Sequence, residues 1–300
     1  DAVTGNVRWT VDSPYDDQWD ELSLSRDGKT LLATGLLYGG AWFVNTASGS
    51  ESSAPGETGR APRFTESSPV ETACISFDGQ SFAVAGRNVV QVLDRGGDTK
   101  LSLELPYGTP TSSAFSPDGK YLAVGKYSGE WRIADIAKKA WVFTSTEAEA
   151  EADERGSIVS IRWAPDSRSL AVTSESLTRI MAVSGKLIRE IPHLHHGFQY
   201  GQSVAYSPDG KSIYLAGEPT EPLRLDLASG QIATTPIQRH DATISAAAFS
   251  PDGKWVATGV EWGRSGEVIV WDAATGSPAY SLVAPMRMNT RAIGMSDTHL

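Results

Sequence analysis

Cysteine, excess positive charge and long apolar runs are all scarce in this sequence. The single cysteine, Cys74, excludes an intramolecular disulfide framework and a four-cysteine zinc site. The 26 lysines and arginines are outnumbered by 36 aspartates and glutamates, and the resulting net charge of -10 argues against nucleic acid as the main partner, since that partner calls for a basic surface. No run of about 18 apolar residues is present, so no membrane-spanning helix is expected.

The N-terminal residues also lack the pattern of a secretory signal. Asp1 to Gly5 carry no positive charge and lead into no apolar core. Together with the single cysteine, this favours a cytoplasmic location. The chain starts without methionine and inside a repeat, so we expect it to be a module of a larger multidomain protein.

A recurring turn is what the chain has in abundance. In its clearest copy, Ser250-Pro251-Asp252-Gly253, Pro251 presets φ for a type I turn and Gly253 can take a positive φ. Related turns recur at intervals of 40 to 51 residues, at Arg26-Asp27-Gly28, Phe77-Asp78-Gly79, Ser116 to Gly119, Ala164 to Ser167 and Ser207 to Gly210, with a degenerate copy at Met295 to Thr298. A period of roughly 40–45 residues is typical of a propeller blade of four strands.

Short apolar segments on both sides of each turn predict antiparallel strands. One strand precedes the turn, a second follows it, and a third ends in a pair aligned with Trp271-Asp272. The aligned pairs are Val44-Asn45, Leu93-Asp94, Ala134-Asp135, Ile180-Met181 and Leu225-Asp226. The first residues, Asp1 to Gly5, align with Asp272 to Gly276.

These repeats resemble the WD-repeat β-propeller family over essentially the whole chain. The family's hydrogen-bond tetrad would use His240, Thr258 and Trp271, and its fourth member, an Asp, is absent, with Glu261 as a substitute. The resemblance implies structural roles for Asp272 and its counterparts Asp94, Asp135 and Asp226. Only one repeat has a literal Trp-Asp pair, and propellers without that signature share the Ser-Pro-Asp-Gly-Lys turn.

The repeats predict a single all-β propeller domain of seven four-stranded antiparallel blades. The last blade is expected to be incomplete or split between the chain ends. The predicted blades are 19–69, 70–108, 109–155, 156–197, 198–240, 241–289, and 290–300 with 1–11. Two long surface connections are expected inside them, at Ser50 to Pro69 and at the acidic run Glu147 to Glu154.

The search for catalytic chemistry finds no phosphate loop, nucleophile elbow or metalloprotease motif. His193 and His195 alternate along one predicted strand and would share a metal only if a third ligand converged. The alternative, that this segment is a strand end with a structural histidine, is the preferred interpretation. No metal and no cofactor are predicted, and the acidic run is interpreted as a solvated loop.

Exposed aromatic and arginine residues in connecting loops are the better candidates for function. Tyr127, Trp262 and Arg264 lie between second and third strands, and Tyr107, Phe198 and Tyr200 lie in connections that lead into first strands. Such residue types dominate binding hot spots, and rigid scaffolds present binding residues on loops. We therefore predict a non-catalytic platform that binds a protein or peptide and is monomeric as an isolated domain. The alternatives are a propeller enzyme or small-ligand binder that uses its central channel, similar to a hydrolase or a quinoprotein propeller, and a purely structural spacer.

Overall fold

The computed structural model describes residues 19–35, 41–48, 51–52, 70–106, 108–145, 157–174, 176–192, 203–216, 223–234, 243–261, 267–283 and 295. Within these residues the strands form six four-stranded sheets, and each sheet keeps its strands in chain order. Neighbouring strands pair antiparallel throughout, for example β-strand residues Leu122 with Ala134 and Leu122 with Phe115. The fold is an all-β propeller of four-stranded antiparallel blades, as predicted.

The first four blades lie in one compact unit. Their strands are β1 (Trp19–Leu24), β2 (Thr30–Gly35), β3 (Ala41–Asn45) and β4 (Glu51–Ser52); β5 (Thr72–Ile75), β6 (Ser81–Ala85), β7 (Val89–Asp94) and β8 (Thr99–Glu104); β9 (Pro110–Phe115), β10 (Tyr121–Lys126), β11 (Trp131–Asp135) and β12 (Ala140–Thr144); and β13 (Ile158–Trp163), β14 (Ser169–Ser174), β15 (Leu177–Ala182) and β16 (Leu187–Pro192).

The fifth and sixth blades lie in a second compact unit. Their strands are β17 (Ser203–Tyr206), β18 (Ser212–Ala216), β19 (Leu223–Asp226) and β20 (Ile232–Thr234); and β21 (Thr243–Phe249), β22 (Trp255–Glu261), β23 (Glu267–Asp272) and β24 (Pro278–Val283).

The number of blades differs from the prediction. The described residues form six blades rather than seven, one for each complete copy of the turn. The degenerate copy at Met295 to Thr298 has neither Pro nor Gly to set a turn. The segments assigned to a seventh blade, 290–300 and 1–11, lie outside the described residues except for Met295.

Two further details of the predicted layout are corrected. Part of the expected connection at Ser50 to Pro69 is strand, because Glu51 and Ser52 pair with Val44 and Phe43. In the fourth blade, Ser169 pairs with Ala182, whereas the equivalent residue Trp255 pairs with Asp272. The counterpart of Trp271-Asp272 in that blade is therefore Met181-Ala182, one residue later than the predicted Ile180-Met181.

The recurring turn joins the first and second strands of every blade. In the sixth blade, Gly253 has φ 72° and its N–H donates to the Ser250 carbonyl at 2.9 Å. In the fourth blade Ser167 occupies the glycine position with φ 60°, a conformation that costs about 1–2 kcal/mol for a residue with a side chain. Its hydroxyl accepts a 3.0 Å hydrogen bond from the Asp118 N–H of the third blade, which helps to offset that cost.

Within each unit, the apolar core lies between the faces of successive blades. In the first unit, Leu32 and Phe43 of the first blade pack with Phe82 of the second, and the rings of Phe43 and Phe82 meet edge to face at 4.8 Å. In the second unit, Tyr214 packs with Val256 and Trp271 of the next blade. Each blade therefore buries its faces only by stacking on a neighbour.

Candidate functional site

The connections of each blade fall at two ends because antiparallel strands alternate in direction. The turns between first and second strands, and between third and fourth strands, share one end, here called the turn end. The connections between second and third strands, and the segments that lead into first strands, share the opposite end, here called the loop end. Of the six residues predicted to bind a partner, Tyr127 is within the described residues, and it belongs to a loop-end connection.

The loop between β10 and β11 presents Tyr127 at the loop end of the third blade. Its side chain is 70% exposed, the largest exposure among the large hydrophobic residues that are described. The loop backbone is nevertheless fixed: the Lys126 N–H donates to the Glu130 carbonyl at 2.9 Å, and the Tyr127 N–H donates to the Thr109 carbonyl at 2.9 Å. Gly129 takes φ 84°, and its N–H donates to the Lys126 carbonyl at 3.1 Å.

The buried side chain of Lys126 holds this loop in place. Its side chain is fully buried, and Nζ lies 2.8 Å from Oε2 of Glu130. The same Nζ donates to the carbonyl of Pro106, which belongs to the segment that leads into β9. A buried ammonium group is stable only when it is paired and hydrogen-bonded, so these two acceptors hold both loop-end connections of the blade together.

Glu130 also connects the buried ion pair to Arg132 and, through Arg132, to Trp141. Glu130 also accepts a hydrogen bond through Oε1 from Nε of Arg132. The Arg132 guanidinium lies 5.6 Å from the ring centroid of Trp141, within range of a cation–π contact. Trp141 in turn donates from Nε1 to the Glu104 carbonyl of the second blade at 3.0 Å. The network therefore ties the Tyr127 loop to the preceding blade.

The charge of Glu130 is stabilised by its two cationic partners. Partial burial raises the pKa of the Glu130 carboxyl, but hydrogen bonds and charge attraction from Lys126 and Arg132 outweigh this effect and hold the pKa below its usual range. The carboxylate is thus ionised at neutral pH, and the network remains charged and intact.

The other predicted binding residues lie outside the described residues. These are Tyr107, Phe198, Tyr200, Trp262 and Arg264. The histidine segment with His193 and His195, the acidic run Glu147 to Glu154 and His240 also lie outside them. Tyr127 is therefore the one predicted contact residue whose surroundings the structure shows.

Trp271 and Thr258 come together in the core of the sixth blade. Trp271 is buried, and its Nε1 donates to the hydroxyl of Thr258 at 2.7 Å. This bond joins β23 to β22 and corresponds to the part of the tetrad that the sequence resemblance implies for these two residues.

The aspartates that end third strands shape the following turn at the turn end. Asp272 accepts backbone hydrogen bonds from Ala274 and Thr275 at 3.1 and 2.8 Å. The carboxylates of the other three aspartates likewise accept backbone hydrogen bonds, and these residues are Asp94, Asp135 and Asp226. The backbone N–H of Thr275, followed by its hydroxyl, lowers the pKa of Asp272. These contacts indicate a role in the turn.

Among the described residues, no group of three or more His, Cys, Asp or Glu side chains is placed to hold a metal ion. The described part of the chain also includes no helix long and apolar enough to cross a membrane. Cys74, the single cysteine, is buried in β5.

The residues that hold Tyr127 in place were not predicted from the sequence. Lys126, Glu130 and Arg132 were not singled out, because a lysine at the end of a strand is normally exposed. One clue is present in the sequence: the opposite charges of Lys126 and Glu130 flank the short loop, and Arg132 follows two residues later on the next strand.

Comparison with known proteins agrees with the blade architecture. The family profile described as "WD domain, G-beta repeat" matches residues 230–272, which include the hydrogen-bonded pair Thr258 and Trp271. The chain is thus similar to the WD-repeat β-propeller family. The match ends at Asp272, the second member of the Trp-Asp pair from which the repeat takes its name.

Several curated WD-repeat proteins are similar to part of the chain. The cattle protein "WD repeat-containing protein 1" (Bos taurus) is 27% identical over 180 residues, which is 56% of this chain and 27% of the relative. The fruit-fly protein "Actin-interacting protein 1" (Drosophila melanogaster) is 29% identical over 189 residues, which is 55% of this chain and 28% of the relative. The alignments thus span just over a quarter of the length of these relatives.

Proposed function

We propose that this WD-repeat propeller is a non-catalytic platform that binds a protein or peptide at the loop end of its blades. The observation that supports this proposal is the presentation of Tyr127, a 70% exposed aromatic side chain on a loop whose backbone is fixed by hydrogen bonds. Tyrosine is enriched among the residues that dominate binding energy.

The anchoring of the loop matters because association is weakened by every group that must be ordered on binding. Buried Lys126 holds the Tyr127 loop in the free protein, so a partner meets an aromatic contact that is already positioned. Arg87, 64% exposed in its side chain, occupies the equivalent loop of the second blade, where Nε lies 2.9 Å from Oε1 of Glu71. Tyrosine and arginine in neighbouring loops are a favourable composition for a protein interface.

The relatives suggest the first partner to test. The name of the fruit-fly relative describes a protein that interacts with actin. We propose actin as the initial candidate for this chain, together with a cytoplasmic location, and we propose Trp262 and Arg264 as further partner-binding residues.

A capture experiment tests the proposal. The purified chain is immobilised and exposed to actin and to a lysate, and the bound proteins are identified by mass spectrometry. The combined Tyr127→Ala, Trp262→Ala, Arg264→Ala variant should lose the specific partner. A control variant, Leu187→Ala with Ile188→Ala, removes apolar side chains that are 47% and 57% exposed on the outer strand β16 and should retain it. Retention by the loop variant, or loss in the control alone, would contradict the proposal.

A further inference from the structure

The recurring turn departs from its pattern in the first two blades. In blades three to six its second residue is proline, at Pro117, Pro165, Pro208 and Pro251. In the first two blades that position holds Arg26 and Phe77. Both residues are exposed, so the two exceptions add an arginine and an aromatic ring to the surface of the turn end.

These two exceptional residues contact each other. The Arg26 N–H donates to the Phe77 carbonyl at 3.1 Å, a bond that a proline at position 26 would lack a hydrogen to make. The Arg26 guanidinium lies 5.9 Å from the Phe77 ring centroid, so the side chains also meet. Arginine and phenylalanine at the positions that hold proline in the other blades therefore form a contact between neighbouring turns.

A third exception, Arg95, converges on the same place. It occupies the position after the last residue of a third strand, where the other five blades have uncharged residues: Thr46, Ile136, Val183, Leu227 and Ala273. Arg95 donates from Nε to the Gly79 carbonyl at 2.6 Å and from Nη2 to the hydroxyl of Thr30 in the first blade. Its guanidinium is thus held beside the turns that carry Arg26 and Phe77.

The three residues form an exposed surface whose positive charge is not matched by a carboxylate partner. Phe77 is 41% exposed, and Arg26 and Arg95 are exposed. Neither guanidinium forms an ion pair with any residue in the part of the chain that the structure describes. The adjacent carboxylates have other contacts: Asp27 accepts from Ser25 and pairs with Lys29, and Asp78 accepts from Ser76 and Gln80.

We propose that the surface formed by Arg26, Phe77 and Arg95 binds an acidic segment of a partner protein. Carboxylates of the segment would accept paired hydrogen bonds from the guanidinium groups, which suit planar anions. An apolar side chain next to those carboxylates would pack on Phe77. This surface lies at the turn end and is independent of the proposed contact at Tyr127.

The chemistry of the surface favours an acidic peptide over nucleic acid. Nucleic acid binding depends on many phosphate contacts along a basic surface, whereas this chain has a net charge of -10 and the surface has two arginines. The exposed Phe77 beside Arg26 adds an apolar contact that suits a peptide side chain.

The test uses fluorescence anisotropy with the full chain and a labelled twelve-residue peptide of Asp and Glu interrupted by Leu and Phe. Peptides with Lys in place of the acids, or Gly in place of the apolar residues, serve as ligand controls, and a single-stranded oligonucleotide of similar length is tested in parallel. We expect Arg26→Gln to weaken binding of the acidic peptide about tenfold, because it removes one charge-assisted contact. Phe77→Ala should weaken binding severalfold, and added salt should weaken it further.

Matched variants separate this effect from general charge and from misfolding. Lys120→Gln and Lys138→Gln each remove a turn-end lysine that is 71% exposed in its side chain, and both should bind as tightly as the wild type. The Arg26 side chain makes no hydrogen bond with a described residue and contacts only the Phe77 ring, so Arg26→Gln should stay folded and unfold within about 4 °C of the wild type. The proposal is overturned if the acidic peptide binds no better than its controls, if Arg26→Gln and Lys120→Gln weaken it equally, or if the oligonucleotide binds more tightly.

Discussion

At the scale of single residues, the turns depend on one serine hydroxyl. In five of the six blades this hydroxyl donates to the turn aspartate at 2.6 to 2.8 Å. It also accepts a hydrogen bond from the N–H that begins the second strand, as Ser250 does from Trp255 at 2.9 Å. The serine therefore links the end of the first strand to the start of the second.

Removal of that hydroxyl should change the titration of its aspartate. The hydrogen bond from Ser250, followed by the N–H of Lys254, lowers the pKa of Asp252 from 3.8 to about 2. In Ser250→Ala the pKa of Asp252 should rise towards 3.8, as measured by carboxyl NMR during an acid titration. Asp209, whose pKa is lowered by Ser207, should be unchanged in the same sample.

The lowered pKa also has a defined effect on stability. The pKa of Asp252 is lower in the folded state than in the unfolded state. Its contribution to the free energy of unfolding is therefore present above pH 3.8 and is lost as the pH falls towards about 2. The stability difference between the wild type and Ser250→Ala should therefore shrink on acidification over this range. A difference that grows as the pH falls would contradict the assignment.

Lys126 and Lys120 offer a comparison of a buried and an exposed ion pair in the same blade. The Lys126 side chain is fully buried beside Glu130, whereas the Lys120 side chain is 71% exposed beside Asp118. Lys126→Ala should lower the free energy of unfolding by about 2–3 kcal/mol, because it leaves a partly buried carboxylate without its main partner. Lys120→Ala should change it by less than about 0.5 kcal/mol. Urea unfolding measures both, and equal effects would show that Lys126 does not anchor the loop.

At the scale of the strand, a shift in the pairing register lets the outer strand of the third blade, β12, contact both the second and the fourth blades. The pairing of β11 with β12 shifts between Ile133 and Ala134, so Trp141 and Phe143 face opposite sides. Trp141 packs with the cluster of the second and third blades, and Phe143 packs with the cluster of the third and fourth. The same shift occurs in the outer pairs of the second and sixth blades.

Close approach between strands of neighbouring blades should make Gly125 intolerant of a larger residue. A Cβ at Gly125 would lie 2.4 Å from Cγ2 of Ile158 in the fourth blade. Gly125→Ala should therefore destabilise the protein by about 2 kcal/mol in urea unfolding, because a tightly packed contact must shift.

Gly119→Ala is the control for this effect, since a Cβ there meets no atom within 4 Å. Gly119→Ala should lower the free energy of unfolding by about 1 kcal/mol, because only the positive φ of 71° disfavours a side chain there. If Gly125→Ala were as stable as the wild type, the two blades would not pack as closely as the structure indicates.

At the scale of the whole molecule, the repeated turn was enough to predict the blade architecture. Pro, Asp and Gly act locally, so their spacing revealed where first and second strands meet. The alignment failed in the fourth blade, where Ala182 replaces the aspartate that would cap the turn and leaves no local marker of the end of β15. The seventh blade was inferred from a turn at Met295 to Thr298 that has neither proline nor glycine.

The site was less predictable than the fold because its support comes from distant contacts. Tyr127 was identified as a loop aromatic, but burial of Lys126 depends on the Pro106 carbonyl, twenty residues earlier in the chain. The meeting of Arg26, Phe77 and Arg95 likewise depends on how two blades stack. Sequence spacing within one repeat contains no information on either contact.

The central claim, that the protein captured in the test of the proposed function binds at the loop end, is tested most directly by hydrogen exchange of the chain with and without that protein. We expect slower exchange on binding in residues 126–130 and in the segment that leads into β9. Exchange in the turns around Gly119 and Gly253 should be unchanged by the same partner. Unaltered exchange at residues 126–130, with protection confined to the turn end or to outer strands, would contradict the claim.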